Sequence, residues 1–321
     1  MANIPSDSTH LSDVERTDMI EQYGGSVDSQ FAKSSIMRKF VKVKPIRGTD
    51  TAIVRRTGRT MIQALQDGVR PPANKTNFGR AAVTVDTVVL ARDNRSMLNE
   101  FQTDFSARAE LGKDHGKELA KFFDQAFLIQ AIKSAHLPAP SNLNGAIGAG
   151  KVETLSSPLD ETDPDKLYAS IAAIITQMKE EDIDTEECAI FVRPSEFDVL
   201  LHHDKLIHKE YSSANGDFAN GKVATIKGSP IIETARIPNA AITGHHLSNA
   251  DNGNAYDLTA AEANAVAVVM HPQSLLAGET IPLASNVFYS DIELQWFIDS
   301  YTAFGVSNRR PDVCGVVNRV I

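Results

Sequence analysis

RRTGRTMIQALQDGVRPPANKTNFGRAAVTVDTVVL, residues 55–90, reads as strand, tip, strand. Thr51–Thr57 alternates roughly between apolar and polar residues, and Arg80–Leu90 is rich in β-branched side chains, as paired strands are. Between them QDGVRPPANKTNFG (66–79) carries Gly68, Pro71, Pro72 and Gly79, which interrupt regular structure. This tip offers no apolar face with which to fold back on a core. A two-stranded ribbon is marginal in water by itself. The hairpin is therefore expected to project from the body and to rest on a neighbouring molecule.

Charge sets this region apart from the rest. Residues 1–32 hold six acids and one base, whereas residues 33–80 hold twelve bases and two acids. Since the whole chain carries −9, the remaining 241 residues carry −14. Two readings of a basic segment on an acidic body stay open. One is nucleic-acid binding through phosphates. The other is head-to-tail self-association, in which one copy's basic segment lies on the next copy's body. A sequence-reading DNA module usually presents a recognisable helix or fold signature, and these bases are instead spread along strands and around a tip.

On either side of the hairpin the text changes. Residues 1–30 show no sustained periodicity and read as a flexible or extended arm. Residues 97–134 give the clearest helix: Leu98, Phe101, Phe105, Leu111, His115, Leu119, Phe122, Phe123, Ala126, Phe127 and Gln130 recur mainly at steps of three and four. Pro138 and Pro140 end it. About 38 residues at ~1.5 Å rise would span roughly 55 Å, longer than an ordinary compact domain is wide. Gly112 and Gly116 mark a bend or a close contact along it. After a loose stretch (137–163) the pattern becomes α/β. Asp165–Glu180 is an amphipathic helix, Cys188–Val192 a buried strand, and Pro194–His202 a helix with proline at its start. Ile231–Thr234 and Ala265–Met270 are further strands, and 203–223 and 243–254 are loops. Ile292, Leu294, Trp296, Ile298, Thr302, Phe304 and Val306 alternate as one long half-buried strand.

Composition and motifs exclude more than they assign. With 42% hydrophobic and 23% charged residues the chain folds around an ample core. No run of eighteen apolar residues is present to span a bilayer, and the polar, acidic start is not a secretory signal. Cys188 and Cys314 match no zinc or redox spacing and read as two small buried residues. Gly145–Lys151 (GAIGAGK) satisfies GxxxxGK, but Val152 stands where a phosphate loop needs Ser or Thr, and no buried strand precedes it. It reads as a loop. His202, His203, His208, His245 and His246 lack the spacing of a zinc site and read as surface residues. The acidic runs 159–165 and 180–187 lack the ligand pattern of a calcium loop. No catalytic residue, cofactor site or metal site is expected.

Several stretches together resemble a known family. YGGSVDSQFAKSS (23–35), RRTGRTMIQALQDGV (55–69), KELAKFFDQAFLIQAI (117–132), FVRPSEFDVLL (191–201), GKVATIKGSPIIETARIP (221–238), VMHPQSLL (269–276) and NRRPDVCGVV (308–317) are similar to segments of the major capsid proteins of short-tailed, podovirus and autographivirus-like bacteriophages. Each is short, and their order covers residues 22–320. The resemblance implies an α+β, HK97-like capsid fold. It implies an N-terminal arm (1–48), an extended β-hairpin loop (49–92), a peripheral domain with a long spine helix and β strands (93–163 and 279–321), and an α/β axial domain (164–278). It implies hexamers and pentamers of an icosahedral shell, with the extended loop reaching over the adjacent subunit. Arg55, Arg56, Arg59, Arg70, Lys75 and Arg80 are then the expected subunit-interface residues. The implied partners are further copies of the chain, a scaffolding protein, a portal protein and enclosed double-stranded DNA bound without sequence-specific recognition. The implied place is the virion capsid, with assembly in the host cytoplasm and no membrane. Capsids of this kind that cross-link a loop lysine to asparagine would need an acceptor for Lys75, and none is identifiable. An encapsulin-like cellular compartment shell and a nucleic-acid-binding protein are the alternatives.

Overall fold

Every residue of Ala189–Val192 and Ala265–Met270 is buried, so both faces of these strands must be covered by other elements. The structure, a computed structural model, describes residues 13–65, 67, 68, 70, 75–96, 106–203, 206 and 225–320. In chain order the elements are α1 (Asp13–Ser34), α2 (Met37–Phe40), β1 (Val43–Pro45), β2 (Thr51–Thr57), β3 (Phe78–Thr84), β4 (Val89–Ser96) and α3 (Ser106–Ala135). There follow β5 (Lys151–Thr154), α4 (Pro164–Glu180), β6 (Ala189–Val192), α5 (Pro194–Leu200), β7 (Thr225–Ile226) and β8 (Ser229–Glu233). The chain closes with β9 (Ala265–Met270), β10 (Leu275–Ser290), β11 (Gln295–Asn308) and β12 (Cys314–Asn318).

A six-stranded mixed sheet, in the order β5-β12-β9-β6-β8-β7, forms the centre. Because side chains alternate across a strand, its two faces feed two cores. On one face Ala189, Phe191, Val268, Met270, Cys314 and Val316 meet the spine helix α3 through Phe123, Phe127 and Ile132. On the other, Ile190, Val192, Val269 and Val317 meet Leu167, Ile171, Ile174 and Met178 of α4 and Phe197 and Leu200 of α5. Asp163 caps α4, its carboxylate accepting from the N–H groups of Asp165 and Lys166, with Pro164 at the first position. A second sheet, β1-β10-β11-β4, is built on the long β10–β11 hairpin. Its face carrying Val287, Ile298 and Ser300 is covered by α1 and the early part of α3. Thirty residues of α3 span about 45 Å.

Several expectations change. Residues 13–34 form a helix rather than an extended arm; residues 1–12 lie outside the described set. Tyr23, Val27 and Phe31, spaced by four, bury one stripe against α3, which tertiary packing supplies and local periodicity did not reveal. Of the two readings of Gly112 and Gly116, a bend or a close contact, the close contact is found. A Cβ on Gly116 would lie 2.6 Å from the Val27 carbonyl oxygen, so these glycines let α1 approach. The described spine helix starts at Ser106, and residues 97–105 lie outside the described set. Arg80–Leu90 is not one strand but two, in different sheets, since Val85–Val88 connects β3 to β4. Ile292 and Leu294 sit in the turn between β10 and β11 rather than in a strand. The closing strand β12, expected with the peripheral part, pairs between β5 and β9 in the central sheet.

The decoy motifs find structural explanations. Gly150 approaches the end of α3 so closely that a Cβ there would meet the Ala135 backbone, and Lys151 opens β5 with an ion pair to Glu181. Gly148 and Gly150 serve close packing, and Gly145 takes a positive φ of 72° in the turn. His203 and His245 are buried rather than surface residues, whereas His202 and His246 are exposed; His208 lies outside the described residues. His203 stacks on Tyr168 and bonds Asp165, and His245 lies between Phe122 and Tyr256. Cys188 and Cys314 are buried free thiols, and burial pushes both up to about 12. Among the described residues no three His, Cys, Asp or Glu side chains gather to hold a metal, and no helix is long and apolar enough to cross a membrane.

Candidate intersubunit interface

β2 and β3 pair in antiparallel register, from Thr51 opposite Thr84 to Thr57 opposite Phe78. Period-2 alternation gives this ribbon two unlike faces. The inner face carries Ala52, Val54, Ala81 and Val83, which close over Leu276 at the start of β10. Opposed glycines in the supporting hairpin make room, since Gly278 pairs with Gly305. A Cβ on Gly305 would lie 2.6 Å from the Thr84 carbonyl oxygen, and one on Gly278 would meet Ile46 and Val83. The base of the hairpin thus rests on its own chain's sheet. The sequence reading overlooked this apolar face because its residues are small and the intervening positions, with Ile53 and Ala82 among them, are themselves partly apolar.

Arg56 belongs to the same inner face, and it is the one expected interface residue that the structure reassigns. Its Nη2 donates to the Asn308 carbonyl oxygen at 2.9 Å, and the side chain is part-buried. Burial draws its pKa below the ordinary arginine range, nearby Arg309 adds to this, and Asp312 opposes it. It anchors the ribbon to its own body. Beyond it, the Arg59 N–H donates to the Leu143 carbonyl oxygen, and Gly58 and Gly79 lie against Leu143 and Asn77.

The outer face and the tip are different in kind. Arg55 and Arg80 stand directly opposite each other and are exposed, a cross-strand pair of like charge that is unfavourable without an anion nearby. Arg59, Arg70 and Lys75 are exposed around the tip. No ion pair formed among the described residues involves any of these five cations. Large apolar side chains accompany them: Ile53, Met61, Leu65, Phe78 at 70% exposure and Ile62 at 98%. Ile53, Arg55, Thr57, Phe78, Arg80 and Asn142 line a shallow hollow on the outer face. The charge count found the cations but missed these apolar residues, although MIQAL (61–65) is visible in the text. Contiguous exposed apolar area edged by charge marks a surface that another molecule covers.

By contrast, the polar groups of the body are mostly paired. Arg92 holds Asp299 through two bonds at 2.7 and 2.6 Å, and Arg38 holds Glu279. Buried Asp124 accepts from the Ser35 hydroxyl, the N–H groups of Ile36 and Met37, and Arg236, tying the end of α1 to α3 and to the loop after β8. Midway along α1, the Tyr23 hydroxyl donates to His115 Nδ1, and His115 Nε2 donates to Asp93. Desolvation pushes Tyr23 up to about 12.

Among family models and curated proteins nothing matches this chain. Solved structures do. The mature capsid of bacteriophage PhiM1 matches with 29% identity over 89% of this chain and 87% of that one, at a TM-score of 0.77. The capsid of cyanophage P-SCSP1u matches with 17% identity over 89% and 88%, also at 0.77. A virus-like particle from Pyrococcus furiosus matches with 13% identity over 93% and 98%, at 0.54. With its spine helix, layered central sheet, long β10–β11 hairpin and basic ribbon, the chain has the α+β, HK97-like fold of phage capsid proteins.

Proposed function

We propose that this chain is the major capsid protein of a double-stranded-DNA bacteriophage of the short-tailed, podovirus-like kind. In this reading it assembles as hexamers and pentamers into an icosahedral shell. The observation that carries it is the outer face of the ribbon, where Arg55, Arg59, Arg70, Lys75 and Arg80 stand exposed beside Ile53, Met61, Ile62, Leu65 and Phe78. The likeness to a mature phage capsid at 29% identity supports it. A surface with cations at one end and a net acidic body elsewhere fits head-to-tail contact between copies, which closes into rings. Each exposed ion pair contributes only about 0–1 kcal/mol, so affinity per contact stays low and errors can dissociate. Repetition in every subunit, with burial of the apolar tip, makes the closed shell stable. The chain itself carries no chemistry in this role. A scaffolding protein and a portal protein are the further partners, and the enclosed DNA is bound without reading its sequence. The shell forms in host cytoplasm and ends as the virion capsid.

Electron microscopy and sedimentation test this reading. The purified chain, with or without scaffolding protein, is expected to form rings or shells. The triple variant Arg55→Glu, Arg59→Glu, Arg80→Glu is expected to stay dispersed with an unchanged circular dichroism spectrum. Normal particles from that variant would overturn the electrostatic role of the ribbon. Dispersed monomers from the unaltered chain under both conditions would overturn the shell itself.

The match to the Pyrococcus particle favours a second reading, an encapsulin-like compartment shell. The two differ in cargo. Particles isolated from cells that contain nuclease-protected DNA support the phage shell, and particles that contain a single enzyme species and no DNA support the compartment.

A further inference from the structure

Four asparagines in the chain precede a glycine: Asn144, Asn215, Asn220 and Asn252. This pair is open to self-modification, because glycine has no side chain to shield its backbone nitrogen from the asparagine amide carbon. Asn215 and Asn220 lie outside the described residues. The structure treats the other two in opposite ways.

The Asn252–Gly253 pair is locked. Asn252 Oδ1 accepts from the N–H groups of Asn249 at 3.1 Å and Ala255 at 3.3 Å. Its Nδ2 donates to the Leu247 carbonyl oxygen at 2.7 Å and to Asp86 at 3.2 Å. The Gly253 nitrogen, which would be the attacking atom, spends its N–H on the Ala250 carbonyl oxygen. Asn144–Gly145 has none of these restraints. Both residues are exposed, in the turn that follows Leu143. Among the described residues neither the Asn144 amide nor the Gly145 N–H makes a hydrogen bond. A Cβ on Gly145 would meet nothing within 4 Å, so the turn is open on that side. Asn144 stands at φ 51° and ψ 40°, and rotation about its Cα–C bond brings the two groups together.

The open pair sits in the turn that supports the ribbon. The Leu143 carbonyl oxygen accepts the Arg59 N–H, and a Cβ on Gly79 would lie 3.1 Å from the Leu143 side chain. Asn142 lines the outer hollow with Arg55 and Arg80. A charge gained at residue 144 therefore arises beside the segment that carries the exposed cations.

We propose that Asn144–Gly145 is a self-modification site, at which the exposed turn converts the asparagine amide into a carboxylate beside the ribbon. The Gly145 nitrogen gives its proton to hydroxide and attacks Asn144 Cγ. The bond from Cγ to the side-chain nitrogen breaks, and that nitrogen leaves as ammonia, taking a proton from water. Water then opens the five-membered imide at either carbonyl. One opening gives aspartate, and the other gives isoaspartate, with the main chain routed through the β-carbon. In sum one water is consumed and one ammonia released, with no oxidation or reduction. The product is one unit more negative than the −9 of the unmodified chain. It sets an acid of the same chain at the foot of a ribbon whose Arg55, Arg59 and Arg80 form no ion pair among the described residues. The site does not depend on the shell reading.

Peptide mapping of the aged protein tests it. The full chain is incubated at mildly alkaline pH, folded in one sample and unfolded in urea in another, with a free peptide of residues 141–148 as reference. Mass spectrometry of digests follows the amide-to-acid change at residues 144 and 252, and electron-transfer fragmentation separates isoaspartate from aspartate. In the folded chain Asn144 is expected to convert at least tenfold faster than Asn252. In urea the two rates are expected to converge, because the hydrogen bonds that hold Asn252 and Gly253 are gone. Asn144→Gly, which tolerates the positive φ, is expected to form no acid at this turn and to keep its circular dichroism spectrum. Three results would each overturn the proposal: equal rates in the folded chain, an Asn144 that stays intact while the free peptide converts, or a tenfold gap that persists in urea.

Discussion

At the residue scale, buried polar groups decide how firmly the arm is held. Asp124 is a carboxylate surrounded by four donors, Arg236 among them, and burial still pushes its pKa up more than those donors pull it down. Replacing it with alanine leaves Arg236 without its partner and the Ile36 and Met37 N–H groups unsatisfied. Asp124→Ala is expected to cost about 3 kcal/mol, read as a shifted urea midpoint of the dissociated subunit. Asp124→Asn should cost less, because its carbonyl oxygen still accepts.

Histidine burial makes stability depend on pH. His245 and His271 are both held below the ordinary imidazole range. Burial is the main cause for both; His246 adds to it at His245 and Arg310 at His271, while Asp257 and Glu187 respectively oppose it. The folded form resists protonation, whereas the unfolded chain takes up protons near pH 6.5. Unfolding therefore binds protons, and stability falls as pH drops below about 6.5. Each ring accepts a backbone N–H at Nδ1, from Leu247 and Gln273, a role that an asparagine oxygen can take. The double variant His245→Asn, His271→Asn is expected to flatten the dependence of unfolding free energy on pH between 5 and 6.5. An unchanged slope would place the pH sensitivity elsewhere.

At the scale of elements, the seam between α1 and α3 rests on glycines. A β-carbon at Gly116 would press on the backbone of α1 at Val27 and Phe31, which a side-chain rotation cannot relieve. Gly116→Leu is thus expected to release α1, even though leucine favours helix by up to ~1 kcal/mol over glycine. Limited proteolysis should then cleave within residues 13–34 while the central sheet stays protected. The same seam shows why part of the fold was illegible in the text. Residues 97–134 announce a helix by spacing, and α4, α5, β6, β8 and β9 fall where the pattern puts them. The helix α1 contains Gly24 and Gly25 and has little periodicity, so its structure comes from the groove it fills. Strands β3 and β4 read as one because the β-branched run continues across Val85–Val88, and nothing local signals that the chain changes sheets there.

At the scale of the molecule, the charge split in the text singles out six cations, and the structure separates them by exposure. Five of the six expected cations stand exposed, whereas Arg56 is tied to Asn308 of its own chain. Composition cannot distinguish these, because Arg55 and Arg56 are adjacent and only the alternation of the strand sends one outward and the other inward. The ribbon is accordingly a two-part device. Its base, with Ala52, Val54, Ala81 and Val83, is fastened to the body, and its outer face exposes Ile53, Arg55, Phe78 and Arg80. Replacing Arg56 should then loosen the ribbon on its own chain, while replacing Arg55 and Arg80 should act on assembly alone. Sedimentation of Arg56→Ala and of Arg55→Glu with Arg80→Glu, each paired with a proteolysis profile, separates the two roles.

Electron cryomicroscopy of the assembled protein tests the central claim most directly. The account predicts closed shells in which density for residues 58–77 lies against an adjacent subunit, with Arg55 and Arg80 within reach of that neighbour's carboxylates. Density showing the tip folded onto its own body, with no contact to another copy, would contradict it.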